Sequence, residues 1–312
     1  MTYKPKLFIP ILITALIIIY WQIFSGVSTD NKNPVLFQIK QGQSWTQVAE
    51  NLENAGLIRS DKVFLIYAKL AYGEAKIYPG RYRIPEGTGI KEIIKIITNP
   101  DKTEISITIP EGFGVRDIDE RLADMGLIIA GEFTTAALQY EGFLFPDTYN
   151  VYNSNFKPED LIKKMQNNFF KKLMPELLQE IKKQKRELKE IITIASILEK
   201  EVKTEKDMPI VAGILWKRIK NNWPLQADAT LLYGKDITAI SAKELKEDNP
   251  HNTYKYKGLP PTPIGNPGIA TIRSAIFPQE SKYWFYLTDS EGNVHYAATN
   301  EEQNENRRKY LE

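Results

Sequence analysis

Apolar residues run along this chain in three different rhythms. The first is unbroken. Residues 7–24 read LFIPILITALIIIYWQIF and contain no charged residue. As a helix they would be about 27 Å long, close to the roughly 30 Å hydrocarbon core of a bilayer. Tyr20 and Trp21 stand near the outer end, where interfacial aromatics belong, and Lys4 and Lys6 precede the run and favour a cytoplasmic N-terminus. The run is longer than a signal-peptide core and no small-x-small cleavage site follows it closely, which favours a retained anchor over a cleaved signal. The expected layout is a cytoplasmic tail at 1–6, a membrane helix at 7–24 and a polar linker at 25–34, with everything beyond lying outside the cytoplasm.

From residue 35 the apolar positions break into short elements. Val35 to Ile39 reads as a strand. Trp45, Val48, Ala49 and Leu52 predict a helix over 44–54, and Val63, Phe64, Ile66, Tyr67 and Leu70 a second over 60–71. Residues 77–84 alternate as a strand. This β-α-α-β order resembles the LysM-type glycan-binding module, so 35–110 reads as a LysM-like subdomain. The tetrapeptide IPEG occurs at 84–87 and again at 109–112. Val48, Leu52, Gly56, Leu57 and Ile58 are echoed by Ile118, Leu122, Gly126, Leu127 and Ile128. A strand, turn and helix unit is used more than once, which by itself means only duplicated packing.

The third rhythm begins beyond residue 110. Residues 158–189 are lysine-rich and amphipathic, broken at Pro175, and read as a solvated outer layer. Ile191 to Leu198 is apolar except for Thr193 and Ser196, the mark of a buried helix. Glu199 ends that run and stacks over Ile192, Ala195 and Ser196. A carboxyl at the edge of a buried face would have a raised pKa, and one that keeps its proton can act as a general acid. The spacing equally allows a surface glutamate at a fraying helix end, and Glu201 lies in the same manner over Ile194 and Ile197. A second helix follows, with Asp207 as N-cap, Pro209 in its first turn, and Ile210, Val211, Ile214 and Leu215 as its apolar face. In PLQADAT, at 224–230, Gln226, Asp228 and Thr230 alternate; extended, they would face one way and suit a hydroxyl-rich ligand such as a sugar, or simply form a solvated loop. Aromatics crowd EGFLFPDTYNVY at 141–152, as a stacking platform if exposed and as core if buried. Residues 249–278 form a proline- and glycine-rich loop carrying Asn252, Thr253, Tyr254 and Asn266, and lead into a short helix at 269–276. Residues 283–296 alternate as a hairpin. The fold class is α+β: one N-terminal transmembrane helix, the LysM-like β-α-α-β subdomain, then a mixed α/β domain over 111–312.

Composition narrows the chemistry. Of 312 residues, 41 are Lys or Arg and 39 are Asp or Glu, a balance that argues against a general nucleic-acid binder. With no cysteine, the chain has no disulfide, thiol nucleophile or lipid-modified N-terminal cysteine. His251 and His295 are the only histidines and leave little room for a histidine metal site. No dinucleotide fingerprint, phosphate-binding loop or nucleophile elbow is present.

Four blocks then occur in a telling order: EGFLFPDTY, ASILEKE, LQADAT and NTYKYKGLPPTPIGNPG. Together, behind one apolar span, they resemble the YceG-like endolytic murein transglycosylase family over nearly the whole chain after residue 34. The resemblance implies that Glu199 is the catalytic residue, with Glu201 dispensable. It implies a peptidoglycan glycan strand as substrate, cut between N-acetylmuramic acid and N-acetylglucosamine by one carboxyl that gives a proton and then takes one, leaving a 1,6-anhydro end. Gln226, Asp228, Asn252, Tyr254 and Asn266 match motif positions and would line the cleft. Ala229 departs from a common proline and His251 from a common tyrosine. No cofactor or metal is implied. The implied partners are glycan strands, the cytoplasmic membrane through 7–24 and peptidoglycan synthases, with no nucleic acid. A hydrolytic muramidase and a catalytically silent wall-binding scaffold are the alternatives.

Overall fold

The computed structural model describes residues 20–21, 23, 25–27, 35–73, 75–99, 104–152, 156–235 and 240–311. The membrane helix expected at 7–24 lies almost wholly outside them; among the described residues no helix is long and apolar enough to cross a membrane. The chain divides into two compact units. The first ends at Ile105 and takes back Asn150–Lys157; the second holds the rest.

The first unit has the anticipated β-α-α-β order. Strand β1 (Val35–Ile39) pairs antiparallel with β2 (Gly80–Ile84), and α1 (Trp45–Asn54) and α2 (Asp61–Tyr72) lie between them in sequence. Ser44 caps α1 through a reciprocal capping box with Gln47, and Ser60 caps α2 by accepting the Val63 N–H. Strand β2 begins three residues later than the alternation suggests, just after Pro79, which has no N–H to give a ladder. Helix α3 (Ile90–Thr98) has no counterpart in the sequence reading, yet buries Ile90, Ile93, Ile94 and Ile97 in the same core as Val48, Leu52 and Phe64.

The repeat is real in three dimensions. Gly56 and Gly126 both take positive φ, 69° and 66°. In the first copy the Leu57 N–H returns to the Leu52 carbonyl at 2.9 Å; in the second the Leu127 N–H returns to Leu122 at 3.0 Å. This is the glycine-terminated helix end, where a left-handed residue lets the chain satisfy the last carbonyls.

Strand β3 (Glu104–Thr108) pairs with β4 (Thr148–Tyr152), the boundary of the second unit falling within both. Between them lie α4 (Val115–Asp124) and α5 (Glu132–Ala137); after them come α6 (Pro158–Lys172) and α7 (Pro175–Lys183). The latter two are amphipathic as expected, burying Leu161, Met165, Phe169, Leu177 and Ile181. Helix α8 (Leu188–Glu201) is the axis of the unit: Ile191 through Leu198 are all buried, and it packs against α7 and three later helices, α9 (Met208–Lys220), α10 (Asp228–Leu232) and, beyond the short α11 (Ala242–Lys246), α12 (Ile269–Ile276). A helix apolar on every side for two turns must be surrounded, and this one is. Strands β5 (Phe285–Thr288) and β6 (Val294–Ala297) form the expected antiparallel hairpin, which helix α13 (Asn300–Tyr310) packs against.

Two segments that the sequence left open are resolved. The aromatics of EGFLFPDTYNVY are core: Phe145 and Tyr149 are buried, and only Tyr152 is exposed. The extended 224–230 segment is a turn followed by a helix. Gln226 takes φ +51°, α10 starts at Asp228, and Thr230 is fully buried, bonding the Ala227 carbonyl at 2.7 Å. Alternation over four residues cannot distinguish a short strand from a turn into a helix once the Thr hydroxyl finds a local carbonyl.

Candidate active site

A cleft of about 840 Å³ opens in the second unit. Its lining comes from the start of α4, the end of α8, α10, the 249–278 loop, β5 and α13. Of these, α10 packs on α8 and α13 on β5, and α9 adds Arg218. Helix α13 is the surprise: it has almost no apolar pattern, yet supplies Asn300, Gln303 and Arg307 to one wall.

Two carboxyls leave the end of α8 in different directions. Glu199 and Glu201 are two residues apart, about 200° around a helix. Glu199 turns towards the start of α12, where its Oε2 accepts the Gly268 N–H at 2.8 Å and the Thr271 hydroxyl at 2.7 Å. It is a side-chain cap for α12, an anion at the positive end of a helix. Beside it the carboxyl of Glu111 is pushed up by burial and by the charge of Glu199. A Cβ on Gly268 would stand 1.9 Å from a Glu111 oxygen, so a side chain there would push the Glu111 carboxyl aside. Glu199 is not among the residues lining the cleft; Glu201 is.

Glu201 is half-buried, and its carboxyl is crowded. Burial first, and then the negative charge of Asp228, push its pKa up to about 7 against the hydrogen bonds it accepts from the Ala229 N–H, at 3.2 Å, and from Tyr286. Of the two carboxyls at the end of α8, the structure thus places Glu199, the residue the motif resemblance implies, against the start of α12, and brings Glu201 into the cleft. The apolar stacking that carries Glu201 over Ile194 and Ile197 is the signal that was available for it.

The other sequence-proposed residues divide. Gln226, Asp228 and Tyr254 come together in the cleft. Tyr254 donates its hydroxyl to Asp228 Oδ1. Gln226 is held by its own N–H to the Thr253 carbonyl at 3.1 Å and by Arg218, whose Nη1 lies 3.4 Å from Oε1. Asn252 and Asn266 do not line the cleft. Both are fully buried, with their amides committed to backbone. Asn252 donates to the carbonyls of Leu245, at 3.1 Å, and Glu247, at 2.9 Å, while accepting from the N–H groups of Tyr254 and Lys255. Asn266 donates to the Phe113 carbonyl at 2.8 Å and accepts the Leu144 N–H at 2.9 Å. These two asparagines pin the long loop: the Asn252 amide has every donor and acceptor engaged, and Asn266 spends one donor and one acceptor on backbone.

Sequence reasoning did not single out Glu141, Arg218, Tyr233 or Tyr286 for this cleft. Arg218 is buried, its Nε donating to the Trp284 carbonyl at 2.9 Å and its Nη1 to the Leu225 carbonyl at 2.6 Å. It ties α9 to the turn at Gln226 and to the hairpin. Glu141, from the EGFLFPDTY block, is buried and raised to about 7, chiefly by desolvation. Its oxygens are occupied: both accept the Val115 N–H, at 3.2 and 3.1 Å, Oε2 accepts the Tyr233 hydroxyl at 3.1 Å, and the Gly142 N–H adds a further bond. Tyr233 packs on His251 with ring centroids 4.8 Å apart, and His251 Nε2 meets the Thr262 hydroxyl at 2.9 Å. Burial lowers the pKa of His251, so the ring at the position that departs from the motif is held neutral. Nothing local in the sequence linked Glu141 to Tyr233; they meet through tertiary packing alone.

The family profile described as YceG-like matches residues 37–309. The chain belongs to the YceG-like family. Among its relatives, the endolytic murein transglycosylase of Bacillus subtilis (strain 168) is 30% identical over 317 aligned residues, covering 91% of this chain and 87% of that one. The endolytic murein transglycosylase of Streptococcus pneumoniae serotype 2 (strain D39 / NCTC 7466) is 27% identical, covering 90% of this chain; this chain spans only 59% of that longer protein. A crystal structure of a yceG-like protein from Listeria monocytogenes superposes with a TM-score of 0.57 at 26% identity, covering 88% of this chain and 99% of that one. The mixed α/β architecture is therefore that of a YceG-like protein, and the four motif blocks fall within the matched span.

Proposed function

We propose that this chain is an endolytic peptidoglycan lytic transglycosylase and that Glu201 is its general acid. The names of its relatives support the reaction, and the observation that carries the residue is the place of Glu201: a carboxyl lining the cleft beside Asp228 and Tyr286, whose burial pushes its pKa up to about 7. Glu201 protonates the oxygen linking C1 of N-acetylmuramic acid to C4 of N-acetylglucosamine. The C1–O bond breaks and positive charge develops at C1. The Glu201 carboxylate then takes the proton from the muramic C6 hydroxyl, whose oxygen bonds to C1. The leaving sugar keeps the first proton, the acid regains the second, and a 1,6-anhydro ring closes. One carboxyl suffices because no water enters.

Glu141 is what keeps the hydrolytic muramidase in view, since paired carboxyls are the signature of glycoside hydrolysis. A hydrolase needs its second carboxyl ionised and free to touch water or sugar. Glu141 is raised to about 7 and bonded to two backbone N–H groups and a tyrosine, which favours the single-acid reaction. Digesting purified glycan strands and weighing the new ends separates the two: anhydro ends are expected, and reducing ends would transfer the assignment to a hydrolase.

The apolar span at 7–24 supports a single-pass anchor in the cytoplasmic membrane with the cleft outside the cytoplasm, where nascent strands and their synthases lie. The β-α-α-β order supports a glycan-binding role for the first unit. The expected result for the anchor is a full-length chain that sediments with membranes and a chain starting at Ser25 that does not; full-length protein found soluble and shortened near Thr29 would overturn it.

A further inference from the structure

Beside the cleft lies a second, more open groove of about 420 Å³, and its floor is aromatic. Trp223 and Trp284 line it together with Thr299, and it shares Gln226, Phe285 and Asn300 with the cleft. The two indoles lie 5.0 Å apart between centroids at 32°, and Trp223 meets Phe285 edge-on at 5.7 Å. Trp223 remains 36% exposed, a large apolar surface left in solvent next to a polar cleft.

We propose that this groove is an aromatic sugar subsite, in which Trp223 stacks a pyranose ring of the same glycan strand whose scissile bond lies at Glu201. It extends the proposed transglycosylase reading and rests on it for the identity of the strand. Three observations carry it. First, the platform is rigid. Trp223 sits on the turn after α9, its N–H bonded to the Arg218 carbonyl at 2.8 Å, and Trp284 is fixed at the hairpin by its N–H to the Ala297 carbonyl at 3.0 Å. Lys217 lies over the Trp284 ring, 4.3 Å from its centroid, with its ammonium held by the carbonyls of Ser281, Lys282 and Tyr283. A ring already held in place loses little entropy on binding.

Second, the chemistry selects a neutral ring. An indole face is electron-rich and would also attract a cation. Here the cations are already supplied: Lys217 covers Trp284, and Arg218 lies 5.3 Å from the Phe285 ring. A positively charged ligand would meet like charge, whereas the C–H face of a hexosamine would not. Gln226 and Asn300 at the edge offer the amide groups that hydroxyl and acetamido substituents need, in the manner of apolar pockets with a few placed polar groups. Third, the groove and the cleft adjoin at Gln226, Phe285 and Asn300, which line both, so one extended strand crossing those residues would meet both.

The test uses full-length protein and a β-1,4-linked N-acetylglucosamine hexamer, with binding measured by calorimetry and cleavage measured separately on purified glycan strands. Trp223→Ala should weaken hexamer binding about three- to tenfold, the range expected for one lost aromatic stack, and Trp223→Phe should restore most of it. A dimer too short to span both sites should bind wild type and Trp223→Ala alike. Wild-type affinity for the hexamer in Trp223→Ala, with an unchanged melting temperature, would overturn the subsite. So would an equal loss for dimer and hexamer, or a Trp223→Ala defect that appears only towards a protein ligand. Because hexamer binding needs no bond cleavage, a chain that binds it through Trp223 yet yields no anhydro ends would refute the reaction and leave the subsite standing.

Discussion

Glu201→Gln abolishes strand cleavage, by roughly 10²–10⁴-fold or more, in a protein that folds as wild type does. Glutamine keeps the shape and can still accept from the Ala229 N–H, so the change removes the transferable proton and little else. Glu199→Gln has a different signature. Its residue caps α12 by accepting from Gly268 and Thr271 at the same oxygen, Oε2, so a glutamine oxygen in that place can accept both bonds but without the carboxylate charge. The expected result is a lower melting temperature, from a weakened charge-assisted bond of about 1–3 kcal/mol, with cleavage retained within a few-fold. Glycan strands digested by both variants, alongside melting curves, decide it. An inactive Glu199→Gln with a wild-type melting temperature, next to an active Glu201→Gln, would restore the assignment that the motif resemblance alone implies.

That contrast shows where the sequence stops being legible. The helix carrying both glutamates was readable from its apolar run, and so were other elements: the helices after Ser44 and Ser60, the short helix at Ile269–Ile276 and the closing hairpin all form where periodicity puts them, whereas Asp207, read as the N-cap of α9, makes no side-chain cap bond there. What periodicity could not decide was which of two end-of-helix carboxyls faces the cleft, because each stacks over its own pair of apolar residues. The answer depends on where α12 begins and where the 249–278 loop runs, and both are tertiary facts. The same holds for Asn252 and Asn266. A polar residue in a functional-looking loop reads the same whether it meets ligand or backbone, and here each amide closes the loop on itself or on Phe113 and Leu144. Helix α13 was missed because it buries little beyond Gln303 and holds on by polar contacts, the Gln303 amide to the Tyr286 carbonyl and the Asn306 amide to the Tyr296 carbonyl.

Cleavage should also lose rate as pH rises through about 7, the value to which burial and Asp228 push Glu201. The acid acts in its protonated form, so above that point the rate falls by up to about tenfold per pH unit. Two carboxyls in this cleft sit near 7, and variants separate them. Glu141→Gln removes one titration and leaves the alkaline limb in place. Asp228→Asn removes a charge that raises Glu201, so its limb moves to lower pH. Conformational stability carries the same sign. Both carboxyls have an ordinary value of 4.5 when exposed and about 7 in the fold, so between those values the unfolded chain holds fewer protons than the native one. Stability then falls as pH rises across that window, by at most about 1.4 kcal/mol per pH unit for each group, and levels off above about 7. Denaturant melts at pH 5, 6, 7 and 8 should show this decline, made shallower by either glutamine variant. A pH–rate profile flat from 6 to 8, or a limb that disappears in Glu141→Gln, would take the acid's role away from Glu201. The opposite slope of stability against pH would mean that these carboxyls are ionised in the fold and that neither has a proton to give at neutral pH.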